Sequence, residues 1–423
     1  MELSASKYNI NKIINYLIVA LVFVIPISYS LRDVLLGLIL ILWVVEGNFK
    51  EKFEKLKANI NIALFMYFSV FILRFLSNFW SSSLHDGSYK AKFYLNSIDY
   101  VIRYDFFYLS IILVILTSFN VKYTKKAISA FILGMFVSEI VSYGIILGFW
   151  TTRTGTPANP TPFLANHSTY SLFLVIAVFW ILDYAYKEQN KLKKALYYLF
   201  SLTATMNLFF NAGRTGQVIY LILIFVYAFY HHRSSIRKMA IVFILAFSAI
   251  ALFYSFSSVF QKRVAQAKHD IVYMFNGHFN SSWGGRVLAW YVAKDLFEKH
   301  PVLGSGVGAV KKEMFADVEK YGEDNAKFFK HSLPHLHNQF LQVLAETGIV
   351  GEGLFLLFFF FMLKLKYQKD IKYYVVIFLT SYIIALMTET FLMKNTSYLL
   401  FNIFIAIFIL NREQYENNSL CSQ

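Results

Sequence analysis

Two linked stretches organise this chain of 423 residues. Residues 281–310 read SSWGGRVLAWYVAKDLFEKHPVLGSGVGAV, and residues 331–353 read HSLPHLHNQFLQVLAETGIVGEG. Both gather glycine, proline and histidine between long apolar runs, and the first also contains an arginine. Polar side chains beside a membrane cost free energy unless they are solvated, paired or in use. These stretches therefore predict where the apolar spans are interrupted and where the chemistry is concentrated.

The remaining composition is that of a polytopic membrane protein. Hydrophobic residues make up 57% of the chain and charged residues only 15%, against roughly 25% in soluble domains. The net charge of +15 does not indicate a nucleic-acid partner, because lysine and arginine occur in short clusters between apolar runs. The single cysteine, Cys421, leaves no pair for an intrachain disulfide. We expect one membrane domain, 1–423.

Apolar segments long enough to cross a bilayer core, about 20 residues each, recur along the chain. Twelve lie near 11–30, 33–47, 60–79, 104–119, 127–149, 168–186, 196–212, 216–231, 238–257, 348–366, 372–389 and 396–411. The first contains Pro26 and is followed at once by the second, so we interpret it as a span and not as a cleavable signal. The predicted fold is all-α, a polytopic membrane protein of about twelve transmembrane helices.

Basic residues follow every even-numbered predicted span, as at Lys122 to Lys126 and at Arg412. The positive-inside rule then places both termini and the polar tail 412–423 in the cytoplasm. The odd-numbered spans open outward, and by far the longest outer connection is 258–347. We expect this large outer loop to contain helices at 259–275, 285–299 and 308–321, and we expect the tail to be disordered.

Three arginines near the predicted outer ends are candidates for binding an anion. Arg214 lies in NAGRTG, at the tip of a tight helical hairpin, where it either snorkels to the interface or contacts an anionic ligand. Arg286 follows two glycines and opens an amphipathic helix, and taken alone it favours a solvated side chain. Arg153 lies in TTRTGTPANPTPF, a loop that does not favour a binding role on its own.

Histidines cluster in HSLPHLHN, and an acidic residue follows in a later outer turn. A metal site is one interpretation, but Pro334 prevents a simple helical pair of histidine ligands and no cysteine is near. Alternatively, one neutral imidazole of the cluster accepts a proton from a sugar hydroxyl while Asn338 and Gln339 orient a polar ligand. Glu389 either orients a histidine or is an interfacial acid beside Lys394. A purely structural cluster also remains open.

Taken together, these motifs resemble the lipopolysaccharide O-antigen ligase and O-antigen polymerase superfamily. The resemblance is carried by GRTG in the hairpin, by GGRVLAW and KHPVLGSGVG in the long loop, and by HLHNQFLQVLAETGIVGEG. It implies a multi-pass enzyme of the bacterial inner membrane with a periplasmic active site. Such an enzyme transfers a glycan from undecaprenyl pyrophosphate, without a cofactor or metal, to an acceptor such as lipid A–core.

The same resemblance implies roles for individual residues. Arg214 and Arg286 match arginines that grip pyrophosphate, and Arg153 matches an upstream arginine less closely. His337, in HNQ, matches the essential histidine, and Glu389 matches an acidic residue by position and type. The leading hypothesis is an O-antigen ligase. The alternatives are an O-antigen polymerase and, from a different class, a transporter or flippase, although a transporter should place its polar residues at mid-membrane.

Overall fold

A computed structural model describes residues 2–81, 101–163, 166–256, 258–333 and 335–413. Apart from two isolated bridges and short 3₁₀ and π turns, the regular structure of these residues is α-helical. The helices are α1 (Glu2–Val24), α2 (Tyr29–Glu46), α3 (Phe49–Asn59), α4 (Ile62–Leu76), α5 (Phe107–Ser118), α6 (Thr124–Ile146), α7 (His167–Lys187), α8 (Lys191–Phe210), α9 (Arg214–His232), α10 (Ile236–Phe256), α11 (Ser258–Phe275), α12 (Ser282–Lys299), α13 (Val310–Asp317), α14 (Glu323–Ser332), α15 (Gln339–Lys364), α16 (Lys372–Thr388) and α17 (Asn395–Leu410).

The predicted all-α membrane class is confirmed, whereas the number of spans stays a prediction. Within the described residues, six helices are long and apolar enough to cross a membrane. They are Ile62–Phe79, Val101–Ser118, Val121–Ile146, His167–Lys187, Arg214–His232 and Gln339–Lys364. Three shorter apolar helices, Asn9–Val24, Lys372–Thr388 and Asn395–Leu410, accompany them. Helix α3 was not predicted: its lysine-rich sequence is amphipathic, and Lys52 is buried against Glu46 at 2.8 Å.

The centre of the bundle is formed by α7 and α17. Every residue of α17 from Thr396 to Ile409 is buried, and α7 is almost as fully enclosed. Trp180 of α7 contacts Phe404 of α17 edge-on, with ring centroids 5.0 Å apart. Because both helices are surrounded by other helices, they are apolar on all sides and show no amphipathic pattern.

Polar contacts hold together one end of the bundle, where the basic clusters lie. Lys125 at the start of α6 is 2.8 Å from Asp370 before α16, and Arg412 after α17 donates to the Asn59 carbonyl at 3.0 Å. Helix α9 ends at His232, at the basic end of the bundle. Its N-terminus, which carries Arg214, therefore lies at the opposite end of the bundle. Which compartment each end faces stays a prediction.

Residues 282–333 form a small helical layer with its own hydrophobic cluster. The predicted amphipathic face of α12 is confirmed, since Leu288, Val292 and Leu296 are buried. Helix α14 was not predicted, because its sequence is mostly charged and polar and only Ala326 and Phe329 are buried. The predicted helix 308–321 is instead α13 followed by a 3₁₀ turn, Val318–Tyr321. Most of the predicted connection 81–103, and the tail with Cys421, lie outside the described residues.

The glycines of KHPVLGSGVG and ETGIVGEG dock one segment against the other. Gly348 interrupts α15 with φ +62° and Gly304 has φ +68°, both in the left-handed region that favours glycine. A Cβ atom on Gly348 would collide with the Val302 carbonyl oxygen. The Ile349 amide donates to the Pro301 carbonyl at 2.9 Å, and the Ser305 amide donates to the Ala345 carbonyl at 2.9 Å. The glycine pattern thus sets how the long loop meets α15.

Substituting Gly348→Ala tests this docking. The added methyl group must displace backbone, and a left-handed alanine costs about 1 kcal/mol on its own, so we expect the melting temperature to fall by several degrees. Gly353→Ala, on the same helix with open space at its Cβ position, is the matched control and should leave it unchanged or raise it slightly. Thermal unfolding of detergent-solubilised protein measures both, and equal melting temperatures would contradict the docking role.

Candidate active site at one end of the bundle

His337 lies in the turn between α14 and α15, held in an uncommon conformation. Its φ is +49°, the left-handed region that residues other than glycine seldom adopt. The side chain is 15% exposed, and Nδ1 lies 3.1 Å from Oε2 of Glu389. Nε2 is buried and makes no hydrogen bond to the described residues. A carboxylate that accepts from Nδ1–H fixes the tautomer that leaves Nε2 as a proton acceptor.

Glu389 ends α16 and is surrounded by groups that can carry positive charge. Besides His337, its carboxylate lies 3.5 Å from Nδ1 of His335 and 3.4 Å from Nζ of Lys394. Burial opposes ionisation, but the hydrogen bond from His337 and the charges of Lys394 and the histidines outweigh it, so the pKa of Glu389 is below its ordinary value. Burial lowers the pKa of His335 to about 4. At neutral pH the cluster therefore contains an ionised carboxylate and a neutral His335.

The ligand atoms of His335, His337 and Glu389 lie within 4.8 Å of one another, a spacing that could hold a metal ion. The neighbouring charge disfavours this use. The ammonium group of Lys394, 3.4 Å from the Glu389 carboxylate, already supplies a cation there and would repel a second one. The arrangement is better described as a carboxylate that orients one imidazole and neutralises one ammonium.

Arg214 and Arg286, separated in sequence, line one polar cavity of about 770 Å³, which we call the arginine cavity. Arg214 is the first residue of α9 and Arg286 lies in the first turn of α12. The wall also includes His167, Asp270 and other polar residues. The exposed N–H groups of a helix N-terminus add to the positive potential beside Arg214. Burial lowers the pKa of Arg286, Glu389 opposes this shift, and Arg214 adds to it.

The arginine cavity adjoins the His337–Glu389 pair. Thr215, in the cavity wall, exchanges a 3.0 Å hydroxyl hydrogen bond with Thr388, the residue before Glu389. The charge of Arg286 also acts on the titration of His335 and Lys394. One end of the bundle thus carries two guanidinium groups and, next to them, an imidazole with a free nitrogen.

Comparison with known proteins agrees with this arrangement. Residues 199–356 match the family model described as O-antigen ligase. The predicted resemblance to the O-antigen ligase and polymerase superfamily is confirmed. The match contains Arg214, Arg286 and His337, while Glu389 lies beyond its end. No curated protein matches the chain.

Two other predicted site residues, Asn338 and Arg153, do not lie where a binding role would place them. The Asn338 side-chain oxygen accepts from the amides of Phe340 at 3.0 Å and Leu341 at 3.2 Å, so it caps the N-terminus of α15. Arg153 is exposed in its loop and does not line the arginine cavity, although Asn159 of the same loop does. Gly213 and Gly216, on either side of Arg214, pack against Ser171 of α7.

Asp270 was missed by the sequence analysis. It lies on α11, lines the arginine cavity and is 3.5 Å from Arg214. One signal in the sequence could have identified Asp270. It is an acidic residue inside a predicted outer helix, in the region where arginines were expected to bind an anion. Its carboxylate is the acidic partner of Arg214 in the cavity.

A buried polar relay supports the strained turn that carries His337. The Leu336 amide donates to Oε1 of Gln342 at 3.1 Å, and Nε2 of Gln342 donates to Glu346 at 2.8 Å. Glu346 is in turn paired with Arg74 of α4, which also binds Asp105 at 3.1 Å. Gln342, Glu346 and Arg74 are all at least nine-tenths buried. Arg74, unexplained at the level of the sequence, thereby anchors the segment before His337.

The relay predicts a positioning role for Gln342. Gln342→Leu keeps the side-chain size but leaves the Leu336 amide unpaired, a loss of roughly 1–3 kcal/mol. If the turn shifts as a result, we expect kcat for glycan transfer to fall about tenfold or more while KM for the lipid-linked donor changes little. Gln368→Leu, exposed near the opposite end, is the control. An unchanged kcat in the Gln342 variant would show that Gln342 does not position His337.

Proposed function

We propose that the protein is an O-antigen ligase that transfers a glycan from undecaprenyl pyrophosphate to a sugar hydroxyl of lipid A–core on the outer side of the inner membrane. The observation that carries the proposal is the His337–Glu389 pair beside the arginine cavity. The family match supports the reaction class, because O-antigen ligases and polymerases act on lipid-linked glycans. The acceptor and the donor lipid are part of the proposal.

The arginine cavity suits a pyrophosphate leaving group. Each guanidinium can bind phosphate oxygens through two parallel hydrogen bonds. Negative charge grows on those oxygens as the sugar departs, and fixed cations in a partly dry site stabilise that charge. Binding requires the phosphate to displace Asp270 from Arg214, which lies 3.5 Å away. The cavity can therefore stabilise the departing group without a metal ion.

The polyprenyl chain has a continuous path on α9. Arg214, Val218, Leu221 and Phe225 lie three or four residues apart and so share one face of the helix. Val218 and Phe225 are 41% and 55% exposed, and Leu221 is 36% exposed. A phosphate held at Arg214 would place the hydrocarbon tail along this apolar stripe, within the membrane.

His337 is the proposed general base. Nε2 accepts the proton of the acceptor hydroxyl as its oxygen forms a bond to the anomeric carbon, and the bond from that carbon to the pyrophosphate oxygen breaks. Glu389 holds the ring through Nδ1 and stabilises the imidazolium that forms. Attack from the side opposite the leaving group inverts the anomeric centre.

His337→Ala should separate chemistry from donor binding. Removing a general base typically costs 100- to 10,000-fold in rate, so we expect transfer to be lost while undecaprenyl pyrophosphate still binds. Purified protein assayed for transfer and, separately, for binding measures the two effects. His331→Ala, exposed in the same segment, is the control. Retained transfer would contradict the role of base, and lost binding would assign His337 to donor recognition.

Arg214→Ala and Arg286→Ala test the leaving-group site. Each removes charge-assisted hydrogen bonds worth roughly 1.5–3 kcal/mol, so affinity for undecaprenyl pyrophosphate should fall about 10- to 100-fold. Arg233→Ala, exposed at the other end of α9, should bind as the unmodified protein does. Unchanged affinity in either cavity variant would exclude that arginine from the donor site.

The lipopolysaccharide profile of a deletion strain distinguishes ligase from polymerase. For a ligase, we expect bare lipid A–core together with long polymer that accumulates on the lipid carrier. Core that carries a single repeat would instead identify a polymerase. An unaltered profile would contradict both activities.

A further inference from the structure

A second cavity lies at the end of α9 opposite to Arg214. It has a volume of about 620 Å³, lies between α7, α8, α9 and α10, and we call it the lysine cavity. Because α9 has 19 residues, its two ends are about 27 Å apart at 1.5 Å per residue. The lysine cavity is therefore remote from the arginine cavity, and the proposed transfer reaction does not use it.

The lysine cavity is amphipathic. Its wall is apolar, with Leu202 of α8, Ile224 of α9 and Val242 of α10 among the lining residues. Cationic or hydrogen-bonding groups from three helices also line it: Lys194 near the start of α8, His232 at the end of α9, and Lys238 near the start of α10. All three belong to the basic end of the bundle. The cavity thus combines a hydrocarbon wall with a polar, positively charged rim.

The nearby acids are occupied elsewhere. Asp183 is fully buried, 2.7 Å from Nζ of Lys187 and 2.6 Å from the hydroxyl of Tyr374, and it does not line the cavity. Glu188 accepts from the amides of Gln189 and Asn190, each at 2.9 Å, as it starts the turn before α8. The charge of Lys194 still acts on the Glu188 carboxylate, and Nζ of Lys194 donates to the Glu188 carbonyl at 3.4 Å. Neither carboxylate lines the cavity, so the charged groups of the lining itself are cationic and favour an anion.

Helix α10, a predicted span, borders this cavity with exposed apolar side chains. Ile244 and Leu245 of α10 are 64% and 65% exposed, as expected of a helix at the edge of the bundle. Phe243 contacts Phe225 of α9 with ring centroids 4.8 Å apart, which joins α10 to the bundle beside the cavity. A hydrocarbon-walled space that opens beside exposed apolar side chains takes lipid chains more readily than water.

We propose that the lysine cavity binds one anionic phospholipid. The phosphate of the headgroup contacts Lys194, Lys238 and His232, and an acyl chain lies against Leu202, Ile224 and Val242. Basic pockets between transmembrane helices recognise anionic headgroups in this way. The volume lies within the roughly 300–1,000 Å³ range of ligand sites. The proposal stands independently of the transfer reaction.

Native mass spectrometry of the detergent-solubilised full chain tests the proposal. Phosphatidylglycerol and phosphatidylcholine of the same acyl chains are titrated separately, and inorganic phosphate is added as a third probe. We expect one tightly bound phosphatidylglycerol, with phosphatidylcholine at least tenfold weaker and phosphate alone unable to compete at millimolar concentration. Equal affinity for the two lipids, or full competition by phosphate, would overturn the proposal.

Two kinds of variant locate the site. Lys194→Ala with Lys238→Ala should weaken phosphatidylglycerol binding about 25-fold, at roughly fivefold per basic residue near an anionic headgroup. Lys191→Ala with Lys193→Ala, exposed on the same turn and outside the cavity lining, is the matched control. Ala246→Trp fills the cavity and should abolish binding although both lysines remain. Binding that survives both cavity variants, or falls equally in the control, would refute the site.

Discussion

The carboxylate of Glu389 is 5% exposed and sits where α16 ends, in contact with His335, His337 and Lys394. A buried charge is tolerated only when it is paired, because the loss of hydration costs several kcal/mol per ion. Here the pairing fixes the loop before α15 against the turn after α16, although His337 and Glu389 are 52 residues apart. The proposed chemistry depends on this contact, since it leaves Nε2 of His337 available.

The two ends of the bundle use positive charge differently. At the basic end, lysines and arginines lie in short connections and pair with carbonyls or carboxylates, as Arg412 and Lys125 do. At the other end, Arg214 and Arg286 converge on one cavity, against the general bias of charge. The bias predicts few cations at this end of the bundle. The two arginines that gather there are best explained by an anionic ligand.

The motifs that carry the family resemblance divide into chemistry and packing. Arg286 and His337 face the proposed reaction, whereas Gly304 and Gly348 allow the long loop to dock against α15. Glu346, in the same motif, pairs with Arg74 and does not line the arginine cavity. The motifs therefore contain both residues that take part in the proposed chemistry and residues that position them. This double role accounts for the length of the motifs.

The sequence by itself determined the all-α membrane class, the positions of the long apolar helices and the amphipathic face of α12, because these follow from hydropathy and spacing among neighbours. It did not predict the charged helices α3 and α14. It also singled out Arg214, Arg286, His337 and Glu389, through residue types that are costly beside a membrane. Only the tertiary structure decided which of them meet. It left Arg153 exposed, and it showed that Asn338 and Gln342 bond within their own segment. It also added Asp270 and Arg74, whose partners are distant in the chain. Such contacts result from the packing of the whole bundle, and no local pattern records them.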